Sequence, residues 1–170
     1  MRLMIISLSV LVLACRTSSD DPGLNETAEA PVADQTDSAQ DSVSILLQAL
    51  WTITGSFVGR DFSGDRAAFR NLSTYADQSS ANADTVVWRL VECMEQTEPS
   101  EATSLGVPVS RGMMCYQALR WIAYYEAVDE HGELTGEWVG HVELNATPAE
   151  MKAAQDAWRE VVRKHSYNLL

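Results

Sequence analysis

The chain holds three imidazoles, His131, His141 and His165, and two of them fall in an acidic run. Carboxylates at Glu126, Asp129, Glu130, Glu133, Glu137 and Glu143 surround His131 and His141. Neutral imidazole beside carboxylates is ligand chemistry for a divalent cation, which can polarise a carbonyl or activate water. An envelope hydrolase with a His/Glu metal site in residues 126–143 is therefore the alternative to weigh. The spacing matches no H-E-x-x-H pair and no oxygen-rich calcium loop. The simpler reading is a solvated acidic loop between the last two helices, with His141 beside Trp138. His165 lies on the core-facing stripe of the final helix, where an imidazolium suits the C-terminal dipole. Glu92 and Glu95 share a helix face at the spacing of a solvent-facing pair. No G-x-S-x-G is present, and Gly59-Arg60-Asp61-Phe62-Ser63-Gly64 is neither a Walker loop nor a dinucleotide fingerprint. It reads as a turn before a helix. These residues assign no catalytic group, metal or cofactor.

The cysteines are more informative. Met1-Arg2 is followed by an apolar run, Leu3 to Leu13, then Ala14 and Cys15. The run is shorter than the roughly 20 residues that span a bilayer, and its layout is that of a secretory signal. The ending Leu11-Val12-Leu13-Ala14-Cys15 resembles the lipobox of bacterial lipoproteins. That resemblance implies a signal peptide over 1–14 and a mature N-terminus at Cys15. Acyl chains on Cys15 would tie the protein to the lipid bilayer of the cell envelope. A plain signal peptide cleaved near Ala14 is the other reading. Arg16, where retained lipoproteins commonly carry Asp, favours the outer membrane in a Gram-negative host. Cys93 and Cys115 then remain as an even pair in an oxidising compartment, expected as a disulfide rather than two buried thiols.

Charge divides the chain. Residues 15–41 carry seven acids against Arg16, a net of −6, with few large apolar groups. Such a segment cannot bury enough surface to offset ordering entropy and is expected to be a disordered tether. Residues 42–170 carry ten bases and 17 acids, a net of −7. The overall charge of −12 excludes a general nucleic-acid binder, which needs clustered cations.

The elements that would position these groups read as helices. Val43, Leu46, Leu47, Leu50 and Trp51 form one stripe, and Phe69, Leu72 and Ala76 a second after Ser63-Gly64-Asp65. Val87, Leu90, Val91 and Met94 follow a cap at Asn82 or Asp84, and Met114, Ala118, Trp121, Ile122 and Tyr125 follow Ser110. Thr147-Pro148-Ala149-Glu150 is a capping box before Met151, Ala154, Trp158, Val161 and Val162. The expected fold is mainly α: about five helices in a bundle or stacked helical hairpins. One or two short strands are possible, near Leu105–Val109 and Trp138–Leu144. Residues 82–127 faintly resemble HEAT-like helical repeats. Leu90-Val91-Glu92-Cys93, Met114 to Leu119 and Ala153 to Trp158 resemble small uncharacterised bacterial lipoproteins, which implies no activity. Trp51, Trp121 and Trp158 fall on apolar stripes and are expected in the core. Trp88 sits off its stripe beside Arg89, and the two form a candidate interaction surface, since Trp and Arg are enriched in hot spots. The composite expectation is a membrane-anchored, non-enzymatic binding or accessory module with a protein partner in the envelope.

Overall fold

In the computed structural model, backbone is described for residues 34–170 apart from 60, 129, 130 and 132. Side chains are described from Ser42 onward, except at 60, 127–130, 132, 134 and 136–138. The expected signal peptide, Cys15 and residues 16–33 of the expected tether lie outside the described residues; residues 34–41, which that tether also took in, are helical. The described part belongs to one unit, Val32–Leu170. No helix in it is long and apolar enough to cross a membrane.

Among the described residues, five helices form where apolar residues recur with helical period. α1 (Asp34–Trp51) buries Val43, Leu47 and Leu50. α2 (Ala67–Ala76) buries Phe69, Leu72 and Ala76, and Asp65 Oδ1 accepts the Ala67 N–H at its start. α3 (Ser80–Cys93) buries Val86, Val87, Leu90 and Val91. Its cap is Ser79, whose Oγ accepts the Asn82 N–H at 3.1 Å, and not Asn82 or Asp84. α4 (Arg111–Ile122) starts at Ser110, whose hydroxyl accepts from Met113 N–H, and it is buried on most sides against α1, α2 and α3. α5 (Pro148–Arg163) has the full capping box between Thr147 and Glu150 and packs on α3.

The mainly α class is nevertheless wrong. Among the described residues, eight strands join the helices in a mixed α/β fold: β1 (Gly55–Val58), β2 (Asp61–Phe62), β3 (Pro99–Ser104), β4 (Val107–Ser110), β5 (Ala123–Tyr124), β6 (Glu126–Val128), β7 (Leu134–Trp138) and β8 (Asn168–Leu169). The main sheet runs β2-β1-β3-β4. β1 and β3 are parallel, with α2 and α3 between them in sequence, and the other two pairings are antiparallel. This is neither a helical bundle nor stacked hairpins. The physical reason is visible in β3, Pro-Ser-Glu-Ala-Thr-Ser, whose buried residues are Ser100 and Ala102. Residues that small leave no apolar alternation for a period-2 reading to find. β1 and β2 are short and enclose Gly59 in a hairpin, so the Gly59–Gly64 stretch is not merely a turn before α2. Phe57 faces Phe62 across that hairpin, ring centroids 4.7 Å apart. The extended stretch near Leu105–Val109 is the β3–β4 hairpin, and β7 ends at Trp138, where a strand was expected to begin.

Two contacts lock helix ends. Arg111 and Gly112 N–H donate to the carbonyls of Glu98 and Gln96 at 2.8 and 2.9 Å. A Cβ on Gly112 would stand 2.2 Å from the Met94 carbonyl oxygen, so only glycine allows this approach. Buried Gln155 reaches from α5 to the Val91 and Glu92 carbonyls, at 2.9 and 3.3 Å. These are among the last carbonyls of α3, and that of Val91 also accepts the Met94 N–H at 3.2 Å. Trp158 is buried as expected and Trp51 half-buried, but Trp121 is 42% exposed, with Arg66 stacked 5.3 Å from its ring.

Candidate interaction surface

α3 and α5 pack side by side, and a groove of about 510 Å³ runs between their outer faces. From α3 come Asp84 and Trp88, four residues apart and so one turn apart on one face. From α5 come Asp156, Arg159, Glu160 and Arg163, which recur at helical spacing. Trp88 is 44% exposed, and its indole is the aromatic element of the groove.

The charges are organised. Arg159 grips Glu92 with a fork, Nε to Oε1 at 2.9 Å and Nη2 to Oε2 at 3.1 Å, and also donates to Asp156 Oδ1 at 3.2 Å. The hydrogen bonds to Glu92, more than any other neighbour, raise the guanidinium pKa. Asp156 also accepts from Lys152, and this bond chiefly lowers its pKa. Glu160 is held between Lys164 and Arg163, which lower its pKa in that order. Asp84 accepts from the Tyr167 hydroxyl and pairs with His165 Nδ1 at 3.5 Å. Burial first, and then the Asp84 carboxylate, push the Tyr167 phenol well above its usual value. The rim is thus a mixed, largely self-paired charge array around one exposed indole.

The expected Trp88–Arg89 pair is split. Arg89 turns to α1, where its Nη2 donates to Ser44 Oγ at 3.0 Å. It clamps two helices while Trp88 faces the groove. Asp156, Arg159, Glu160 and Arg163 are not among the expected site residues. Their signal was the i, i+3, i+4, i+7 spacing of 156, 159, 160 and 163 on the polar face of α5.

The acidic run between α4 and α5 is a β6–β7 hairpin followed by an irregular segment. His131 is exposed in the turn of that hairpin. His141 lies beyond it and packs against α4. Its Nε2 is 3.1 Å from Glu143 Oε1, and its Nδ1 is 3.4 Å from the Tyr116 hydroxyl. That hydroxyl also accepts the Val142 N–H at 3.0 Å. Tyr116 is buried, so this chain of contacts fastens the segment to α4 rather than presenting a reactive oxygen. Among the described residues, no three His, Cys, Asp or Glu side chains cluster to hold a metal ion. Asp129, Glu130 and the Glu137 side chain lie outside the described residues.

His165 is not on the core-facing stripe. α5 ends at Arg163, and His165 adopts φ 47° just after the cap Lys164. Its N–H donates to the Val162 carbonyl, and the Ser166 N–H to that of Val161, at 3.0 and 3.2 Å. That is the bond pair of a Schellman motif, which glycine usually supplies. Cys93 and Cys115 stand at disulfide distance, with Cα atoms 5.9 Å apart, joining the end of α3 to the middle of α4. No family model, curated protein or solved structure matches the chain.

Proposed function

We propose that the chain is an envelope lipoprotein, acylated on Cys15, whose folded domain is a non-enzymatic protein-binding or accessory module. The observation that carries the reading is Leu11-Val12-Leu13-Ala14-Cys15 at the end of a short apolar run, followed by a segment of net charge −6. A thiolate is the side chain a lipid donor can alkylate. The Cys93–Cys115 pair, at disulfide distance, supports an oxidising compartment. The Trp88 groove supports a protein ligand, through an exposed indole framed by hydrogen-bonded charges. The net −7 of residues 42–170 favours a basic partner with a salt-sensitive on-rate.

The test is Cys15→Ala expressed in the native host. The expected result is a chain that leaves the membrane fraction or stalls as the unprocessed precursor. A variant that is processed and still sediments with membranes rejects the anchor.

A further inference from the structure

Trp121, on the apolar stripe of α4, stays partly in solvent beside three buried phenylalanines. The rings form a run. Phe57 faces Phe62 across the β1–β2 hairpin, Phe62 lies 5.9 Å from Phe69 of α2, and Phe69 lies 6.0 Å from Trp121. A pocket of about 80 Å³ opens among them. Water takes up about 30 Å³ per molecule in the liquid, so the pocket holds about three heavy atoms, the size of an isopropyl group.

Two polar side chains stand on its wall. Half-buried Arg66, just before α2, donates from Nε and Nη2 to the Phe62 carbonyl at 3.3 and 3.0 Å. Those bonds use one edge of the guanidinium, whose carbon stands 5.3 Å from the centroid of the Trp121 ring. The other edge, Nη1 with the second N–H of Nη2, meets no acceptor among the described residues, and the cation has no carboxylate partner among them. Two parallel N–H groups of a guanidinium match the two oxygens of a carboxylate. Gln117 lies one turn before Trp121 on α4 and also lines the pocket. Its Nε2 donates to Met113 Sδ at 3.6 Å, and its Oε1 accepts from no donor among the described residues. Asp61 borders the pocket too, but it alternates with Phe62 along β2, so its carboxylate turns to the opposite face of the strand.

We propose that this pocket captures the C-terminal residue of a peptide chain. A side chain of valine size sits among the rings, the terminal carboxylate lies on Arg66, and the N–H of that residue donates to Gln117 Oε1. Arg66 is a cation without a counter-ion, so an anion gains there and an ammonium group is repelled. The apolar space beneath selects what the anion is attached to: a bare phosphate or sulfate leaves it unfilled, whereas an isopropyl group fills it. The acceptor on Gln117 favours a peptide over a plain short-chain acid, because the peptide brings an N–H beside its carboxylate. Capture of a terminal carboxylate by fixed donors is a recurring mode of peptide recognition. None of these residues lines the Trp88 groove, and the site needs no acyl group on Cys15.

The test uses the full chain in mild detergent, labelled with an NMR-active isotope at the tryptophan indole nitrogens. It is titrated with an acetylated Ala-Ala-Val tripeptide that ends in a free carboxylate. The Trp121 signal, assigned with Trp121→Phe, reads the site, and that of buried Trp158 is the internal reference. The expected result is a saturable shift at Trp121 with Trp158 unmoved. The same peptide with a C-terminal amide should bind at least about tenfold more weakly, because it loses hydrogen bonds between charged groups. Alanine in place of the terminal valine should weaken binding about tenfold through the lost burial of two methyl groups. Isobutyrate, which has the carboxylate and the isopropyl group but no N–H, should bind severalfold more weakly than the peptide. Arg66→Gln should bind the acid and amide forms alike, with an unchanged Trp158 signal to show that it folds. Equal binding of acid and amide by the native protein overturns the proposal. So does isobutyrate binding as tightly as the peptide, or a Trp121 signal that stays in place at millimolar peptide. The comparison of acid with amide needs no variant, so a misfolded Arg66→Gln leaves the test intact.

Discussion

Reducing the Cys93–Cys115 link should weaken the domain by an amount its topology sets. The two cysteines are 22 residues apart in sequence, and the loop between them holds β3, β4 and the start of α4. Closing a loop of that length removes about 11 cal/mol/K from the unfolded chain, or about 3 kcal/mol at 25 °C. A domain of about 130 residues unfolds with an entropy near 2.1 cal/mol/K per residue, so about 3 kcal/mol corresponds to roughly 11 °C in Tm. The assay is thermal unfolding followed by far-UV circular dichroism, on oxidised protein and on protein reduced after unfolding and refolded in reductant. That comparison changes the link and leaves the packing atoms in place. Cys93→Ala with Cys115→Ala should fall at least as far, because both positions are buried and the variant also loses two sulfurs from the core. Equal Tm values for the oxidised and reduced protein would refute the reasoning. So would two alkylatable thiols at 93 and 115 in protein isolated without reductant.

Other substitutions test the packing. Gly112→Ala drives a methyl into the Met94 carbonyl and should cost about 1–3 kcal/mol in denaturant unfolding; a neutral result would mean the α3–α4 junction is looser than described. His165→Gly relieves a positive φ at the end of α5 and should stabilise by about 0.5–1 kcal/mol, read as a rise in denaturant midpoint. Trp158→Ala empties a buried site and should cost about 3–5 kcal/mol. The pH dependence has a definite sign. The Glu150 pKa is lowered, chiefly by the Thr147 backbone N–H, and those of Asp156 and Glu160 by their cationic neighbours. Depressed carboxylates contribute stability that is complete above their unfolded values, 4.5 for Glu and 3.8 for Asp, and is lost as pH falls through the lower folded values. Midpoints should therefore decline below about pH 4.5, and Glu150→Ala should flatten that decline.

The parts of the fold that could be read from sequence are those that large apolar residues mark. All five helices carry Leu, Val, Phe, Met or Trp at helical period, and the Thr147–Glu150 box names the start of α5 outright. The main sheet escaped because its inner residues are small or few. β3 turns Ser100 and Ala102 inward, and β1 and β2 offer one buried phenylalanine each. A parallel pairing between strands some 45 residues apart has no local signature either, because the two partners never fall within one short window of sequence. At the candidate surface, Trp88 could be picked out because it breaks its stripe. Arg89 could not be placed, because whether it faces solvent or Ser44 depends on where α1 lies. Trp121 shows the converse error: it follows the stripe of α4 yet is 42% exposed, with Arg66 stacked over its ring. His165 misled in the same way, since the helical period was extended two residues beyond the real end of α5.

The most direct test of the account is the intact mass of the mature protein purified from its host's membranes without reductant. The predicted result is a chain that begins at Cys15, carries acyl groups there, and is two hydrogens lighter than its dithiol form. A chain that retains residues 1–14, or begins elsewhere with no lipid on Cys15, contradicts it.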